Sequence, residues 1–437
     1  MINKHNFILT LFCLLCIAGS LSAQPSTPLD TANYEYRLAL SKEYRSDVIT
    51  FHQLLKLSNT GKDKKFIRES FKENQESFEK EILEGAYIFD ARFDSVINRV
   101  MDRLRVGNSD IPEDLKVYVS RSSNFNAASL GDHVLLVNLG SFYYLRNEDQ
   151  LAALLSHELA HLMQEHQIET LHRYYLMFKK EATTEMRRIK SQRSNRGSQA
   201  LDRLKTILYS NGNQNKIQEE EADSIGYELY RKAGYLPTDY VRIYDMMYRF
   251  DTLQPMGLQP ETYRRLFDLP ELPFKESWMK QEDFSAYDYS KFKEDFHPDS
   301  LKAHPELSLR VDRLRRIFPE LQVDSVPSAK PDSLFRELRV IAELERVHSY
   351  DFQEEYGIGV YLCLLYLEDD PDDKYYRQWL GHLFGKIYEA RKSYTLNRYV
   401  DRVDPKEQSP GYQQFLNFIW NLNLKDLEQI SAFYKAS

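Results

Sequence analysis

Residues 147–163, "NEDQLAALLSHELAHLM", constrain the chain more than any other stretch. Asn147 stands where a helix begins, with Gln150 three residues on as a capping-box-like pair. Leu151, Leu155, Leu159 and Leu162 then fall on one side at about 100° per residue. His157 and His161 fall roughly opposite, four residues apart, so one helix face presents both imidazoles together. Imidazole nitrogens suit zinc, and Glu158 between them can take a proton from a zinc-activated water. The competing reading is a helix whose histidines are solvated or satisfied in a core. The four leucines already supply the core face, and the small Ala153 and Ala160 leave room for a pocket. The metal reading is preferred.

A catalytic zinc takes three protein ligands and keeps one position open. The third ligand has to come from another element. "QEEEADSIGYELYRKAGYLP" reads as a helix stopped by Gly234 and Pro237, and it places Glu219 and Asp223 four apart on one face. One of these carboxylates can bind the metal. The other can orient a ligand histidine through its second ring nitrogen. Glu220 and Glu221 read as a solvated face.

The remaining chain supplies a scaffold of helices and few strands. Residues 30–110 read as helical, with an apolar stripe at Val96, Ile97, Val100, Met101 and Leu104. Residues 115–120 alternate and are β-branched, so they read as a strand; "SLGD" then makes a turn, and residues 133–138 read as a second strand. "KSQRSNRGSQ", within the polar stretch 167–215, reads as a loop. Residues 251–300 carry prolines and aromatics with little period, and helical periodicity returns from about 333. "WLGHLFGKIYEA" has the Leu-Gly-x-x-aromatic spacing of a tetratricopeptide helix pair, but no clean 34-residue repeat accompanies it. A packed helical tail is the equal alternative.

Lys and Arg number 58 against 66 Asp and Glu, without the clustered basic excess a nucleic-acid surface needs. At the N-terminus, Lys4 and His5 precede the apolar run "FILTLFCLLCIAG" and the small-residue segment "SLSAQP". That order is a secretory signal peptide, with cleavage expected after Ala23, although Leu21 is large for its place. A retained anchor is the alternative. Cys13 and Cys16 do not follow small residues, which disfavours a lipoprotein signal. After cleavage Cys363 alone remains, so the mature chain forms no internal disulfide.

HExxH followed by an ExxxD helix that ends in "AGYLP" resembles the HtpX-like and CAAX-prenyl-protease-like zinc metallopeptidases, peptidase family M48. "EGAYIFDARFDSVINRV" and "NFNAASLGDHVLLVNLGSFYYLRNEDQLAALLSHELAH" resemble the segments that lead into the catalytic core of that family, and "HPELSLR" resembles its His-Pro…Arg motif. The signal peptide in front and the helices behind look most like its periplasmic, BepA-type members. The resemblance implies that His157, His161 and Glu219 are zinc ligands, Glu158 the general base and Asp223 the partner behind a ligand. It implies that His304 occupies the fourth metal position at rest; His297, also followed by proline, lacks an arginine six residues on. Two departures stand out. Leu130-Gly131-Asp132 replaces the usual Pro-Gly-Gly before the edge strand, and the stretch from Asp223 to His304 is longer than usual.

The expected fold is mostly α with a small β-sheet (α+β): a gluzincin-type zinc metalloprotease domain followed by a helical, tetratricopeptide-like C-terminal region. The expected organisation is a signal peptide at 1–23, an N-terminal helical region at 24–79, the metallopeptidase domain at 80–325 and C-terminal helices at 326–437. The expected function is a periplasmic, zinc-dependent endopeptidase with one Zn2+ per chain and a histidine plug. Its expected partners are unfolded or unassembled envelope proteins and the outer-membrane assembly machinery, with no nucleic acid and no membrane span after signal cleavage. An extended substrate is expected to pair with the 134–138 strand near Asn126 and Ala127. A chaperone-like scaffold and a purely structural zinc site are the rivals. Neither has a need for Glu158.

Overall fold

Apolar stripes at helical spacing dominate the chain, and the structure is accordingly mostly helical around one small sheet. The computed structural model describes residues 29, 34–54, 62–176, 215–252, 257–281, 307–322, 327–405 and 408–436. Two long helices, α1 (Tyr34–Leu54) and α2 (Lys62–Glu84), pair at the N-terminus. β1 (Tyr87–Ile88), α3 (Ala91–Gly107), β2 (Lys116–Ser120), β3 (Ala127–Ser129) and β4 (Val134–Asn138) follow. Among the described residues the strands form one sheet in the order β1-β2-β4-β3. β2 and β4 run parallel, with Lys116 opposite Val134, while β1 and β3 are antiparallel to their neighbours. The two strands read from the sequence are β2 and β4. The three-residue β3, too short to show a period, covers the flank of β4.

That topology corrects one expectation. The 134–138 strand is paired on both sides and cannot accept a substrate strand. Among the described residues the edge strand beside β4 is β3, the other edge being the two-residue β1. Asn138 N–H bonds to the Asn126 carbonyl (2.9 Å) and Leu130 N–H to the Val134 carbonyl (3.0 Å). By alternation, the backbone groups of Ala127 and Ser129 face away from the sheet.

α4 (Leu139–Tyr144) leads into α5 (Glu148–Met163), the helix of the HExxH motif. Asn147 accepts from Gln150 N–H (2.9 Å), and the Gln150 amide oxygen accepts from Arg146 N–H (2.8 Å), a capping box shifted by one residue. Gln150 Nε2 also donates to the buried Asp239 of α8 (2.9 Å). Leu151, Leu155 and Leu159 are buried and Leu162 is half-buried, while the opposite face is covered too, with His157 only 5% exposed. α6 (His166–Tyr175), a helix over 215–232, α8 (Pro237–Thr252) and α10 (Leu307–Ile317) complete the surroundings of the site; the helix over 215–232 is α7. The stripe Val96, Ile97, Val100, Met101 and Leu104 joins the same core.

A second core lies under α11 (Ser333–Phe352), α12 (Tyr356–Asp369), α13 (Lys374–Lys392), α14 (Pro410–Asn421) and α15 (Leu424–Ala436). The aperiodic stretch 257–281, which includes α9 (Pro260–Phe267), packs into it through single large residues. Trp278 is buried and donates Nε1–H to the Asp426 carboxylate (3.1 Å). Docking by isolated aromatics leaves no period to read. The Leu-Gly-x-x-aromatic spacing has a packing reason: a Cβ on Gly381 would lie 2.7 Å from Lys435 N, so α13 and α15 touch there. The signal-like segment, the "KSQRSNRGSQ" stretch, His297 and His304 lie outside the described residues. Among those described, no helix is long and apolar enough to cross a membrane.

Leu130-Gly131-Asp132 builds a turn with Gly131 (φ 78°) and His133 (φ 63°) both left-handed. Asp132 is buried and accepts from Tyr44 Oη (2.8 Å) on α1 and Gln75 Nε2 (2.9 Å) on α2. The residue that departs from the family pattern is therefore the dock for the N-terminal helices. Asp132→Ala should strand both donors and destabilise the chain by about 1–3 kcal/mol, seen as a lower urea midpoint and faster proteolysis within 34–84. Asp132→Asn, which keeps an accepting oxygen, should recover most of it.

Candidate metal centre

Three side chains from two helices converge. His157 Nε2 and His161 Nε2 lie 3.1 Å apart on α5. Glu219, on α7, brings Oε2 to 3.5 Å from His157 Nε2 and Oε1 to 3.6 Å from His161 Nε2. These are the His, Cys, Asp and Glu residues that meet as a possible cation site among the described residues. Ligand bonds of about 2.0–2.1 Å at tetrahedral angles separate ligand atoms by about 3.3–3.4 Å. The nitrogen–nitrogen separation and the distance from each nitrogen to its nearer Glu219 oxygen lie close to that value, and the donor set of two imidazoles and one carboxylate is what zinc takes. The residues present fit the ion.

The crossing of α5 with α7 depends on Gly226. A Cβ there would stand 3.0 Å from His157 Cα and from the Ser156 carbonyl oxygen, and 2.7 Å from Tyr240 Oη. Glycine lets the two backbones close to a distance at which the short Glu219 and Asp223 reach the imidazoles.

Asp223 stands behind His157. Its Oδ1 is 3.1 Å from His157 Nδ1, off the ideal hydrogen-bond line. Arg310 of α10 donates to it through Nε (2.8 Å) and Nη2 (2.6 Å), and Tyr244 Oη of α8 adds a third bond (2.5 Å). Arg310 Nη1 also stands 3.0 Å from Glu219 Oε2. Burial opposes charge on Asp223, but Arg310 beside it holds its carboxyl down to about 2. Burial likewise opposes a proton on His157, yet Asp223 and Glu219 outweigh it and push that ring up to about 10. His161 is lowered to about 3, by burial and by the neighbouring His157.

Glu158 is half-buried beside the free edge of the sheet, within reach of Ser129 N–H on β3. Burial raises its pKa, with Glu219 adding to the effect. A carboxylate raised toward neutrality is a stronger base for a water held nearby.

The structure thus brings together His157, Glu158, His161, Glu219 and Asp223. His304 lies outside the described residues. Glu220 and Glu221 are not simply solvated: Glu220 pairs with Arg313, and Glu221 Oε2 stands 3.5 Å from His166 Nε2. Three contributors were not singled out from the sequence. Arg310 was visible only as the last residue of a motif, and Tyr244 had no local signal. His166 was readable as a histidine five residues past the motif, and its Nδ1 lies 2.9 Å from His161 Nδ1.

Against known families, residues 90–318 match the model of Peptidase family M48. A comparison with curated proteins finds no match. The matched span runs from the cap of α3 to the end of α10, and so contains every residue of the site just described. The chain is a member of peptidase family M48, and its His157, His161 and Glu219 form a cluster able to hold the metal of a metallopeptidase.

Proposed function

We propose that this chain is a zinc-dependent endopeptidase, with His157, His161 and Glu219 holding one zinc ion and Glu158 acting as general base. The observation that carries the reading is the convergence of two imidazole nitrogens and both oxygens of the Glu219 carboxylate, 3.1–3.6 Å apart, beside Glu158. When bound, zinc supplies the positive charge that polarises a peptide carbonyl and acidifies a water. Glu158 accepts the proton of the attacking water and passes it to the leaving amine. Asp223, itself held by Arg310 and Tyr244, keeps the His157 ring in place.

A substrate in extended form would add as a strand to the free edge of β3, through the outward backbone groups of Ala127 and Ser129. Main-chain pairing needs an unfolded segment and reads little sequence, so misfolded or unassembled chains are the substrates proposed. The signal-like residues 1–23 support export, and with the family resemblance they support a periplasmic role on envelope proteins. His304 as a resting plug rests on the His-Pro…Arg resemblance and on its tether, six residues before Arg310. The division into a metallopeptidase unit at 80–325 and C-terminal helices at 326–437 is likewise proposed.

Glu219→Ala should reduce bound zinc well below one per chain, measured by metal analysis after dialysis. Full retention would assign the third ligand elsewhere. Glu158→Gln should keep zinc and the fold and lower casein cleavage by at least about 100-fold, the upper range of general-base contributions being about 10,000-fold. Undiminished cleavage in that variant would remove Glu158 from the mechanism, and a zinc-loaded wild type that cleaves nothing would favour the scaffold reading.

A further inference from the structure

Each ligand histidine needs something that fixes its ring. Asp223 does this for His157, and among the described residues no carboxylate touches the far nitrogen of His161. That nitrogen, Nδ1, meets the Nδ1 of His166 at 2.9 Å. We propose that His166 is a positioning residue for the metal site: it accepts the Nδ1 proton of His161 and so presents the His161 Nε2 lone pair to the cation. This rests on the zinc reading above.

The proton count permits one arrangement. Two ring nitrogens at hydrogen-bond distance attract only when one carries a proton and the other a lone pair. His161 Nε2 faces Glu219 and His157 as a ligand atom. A neutral His161 then has its proton on Nδ1 and donates it to His166. His166 in turn keeps its own proton on Nε2. That nitrogen is buried without a hydrogen-bond partner, and the Glu221 carboxylate 3.5 Å away favours the proton there. α7 therefore serves both histidines, through Asp223 directly and through Glu221 by way of His166.

The backbone is shaped for this contact. Residues five apart on a continuous helix point about 140° away from each other, so His166 would not meet His161 if α5 ran on. The helix instead ends at Met163, with Gln164 N–H on the Ala160 carbonyl (3.0 Å) and Glu165 N–H on the Leu162 carbonyl (3.0 Å). Glu165 takes a left-handed conformation (φ 54°), where glycine is the usual occupant. The chain turns back, and His166 opens α6 only 4% exposed, its ring edge-on to His161 at 4.9 Å between centroids.

A residue that only fills space would be replaceable by a side chain of similar size. A residue that accepts a proton would be replaceable by one that also accepts. Full-length wild type, His166→Leu and His166→Asn are compared by zinc transfer to a chromogenic chelator and by the visible spectrum of the cobalt-substituted protein, with folding followed by circular dichroism. His166→Leu should weaken zinc by about 10–100-fold, the range seen for partners behind metal ligands, and should shift the cobalt bands. His166→Asn, whose amide oxygen can accept from His161, should stay within about threefold of wild type, a small part of that range. Unchanged zinc affinity in His166→Leu, or equal loss in both variants, overturns the inference. If His166→Leu fails to fold, His166→Asn decides alone: a tenfold loss in a folded protein overturns the proposal, and near-native affinity with native cobalt bands supports it. A wild type that binds no zinc would instead sink the zinc reading itself.

Discussion

The buried guanidinium of Arg310 is the interaction on which the site depends. It is 4% exposed and binds Asp223 through two nitrogens and Glu219 through the third. Removing one partner of such a buried network leaves the others uncompensated, at a cost of about 3–5 kcal/mol. Arg310 therefore ties α10 to α7 while α7 crosses α5 at Gly226. The charges make sense together. Glu158, Glu219 and Asp223 bring three negative charges, Arg310 returns one, and a divalent cation balances the other two. The same excess of carboxylate pulls His157 up to about 10, because a proton there answers part of the charge a dication would answer.

Under the proposed function a peptide also needs a place to bind, and β3 is the strand proposed to take it. β3 is three residues long, but its position is fixed from both ends. At its start, the Ser141 hydroxyl donates to the Asn126 carbonyl (2.8 Å) and accepts from Asn126 N–H (3.0 Å). Beyond its end, the 131–133 turn is docked on α1 and α2 through Asp132. A short edge strand avoids offering a long unpaired ladder to other chains. Here its short open side lies next to Glu158, where the proposed chemistry and the proposed strand addition would meet.

How much of this was legible in the sequence follows from the range of each signal. α5 was readable in full because cap, leucine face and histidine pair all lie within 17 residues. Glu219 and Asp223 were readable as a pair, since a helical spacing carries that information, but their division of labour was not: it depends on Arg310, 87 residues from Asp223. The edge strand was misassigned because alternation identifies a strand without saying how many neighbours it has. His166 was overlooked because five residues is the wrong spacing for one helix face, and only the left-handed Glu165 makes it the right one. Glu221 is exposed, as a solvated face requires, but nothing local announced its approach to His166.

The C-terminal helices bear on the site through the chain that leads into β3. Arg121, just past β2, is 2% exposed and pairs with Glu345 of α11 (3.0 Å) and with His348 Nδ1 (2.9 Å). Two residues on, the Ser123 hydroxyl donates to the Arg346 carbonyl (3.1 Å), and Gly140 N–H bonds to the Ser122 carbonyl (2.9 Å). The four residues between Arg121 and Asn126 are thus pinned to α11 on one side and to α4 on the other. A buried ion pair of this kind contributes little net stability against an apolar replacement, but it defines position, because each charge is satisfied in only one arrangement. The open edge beside Glu158 is therefore aligned in part by α11, which follows the span matched to the family.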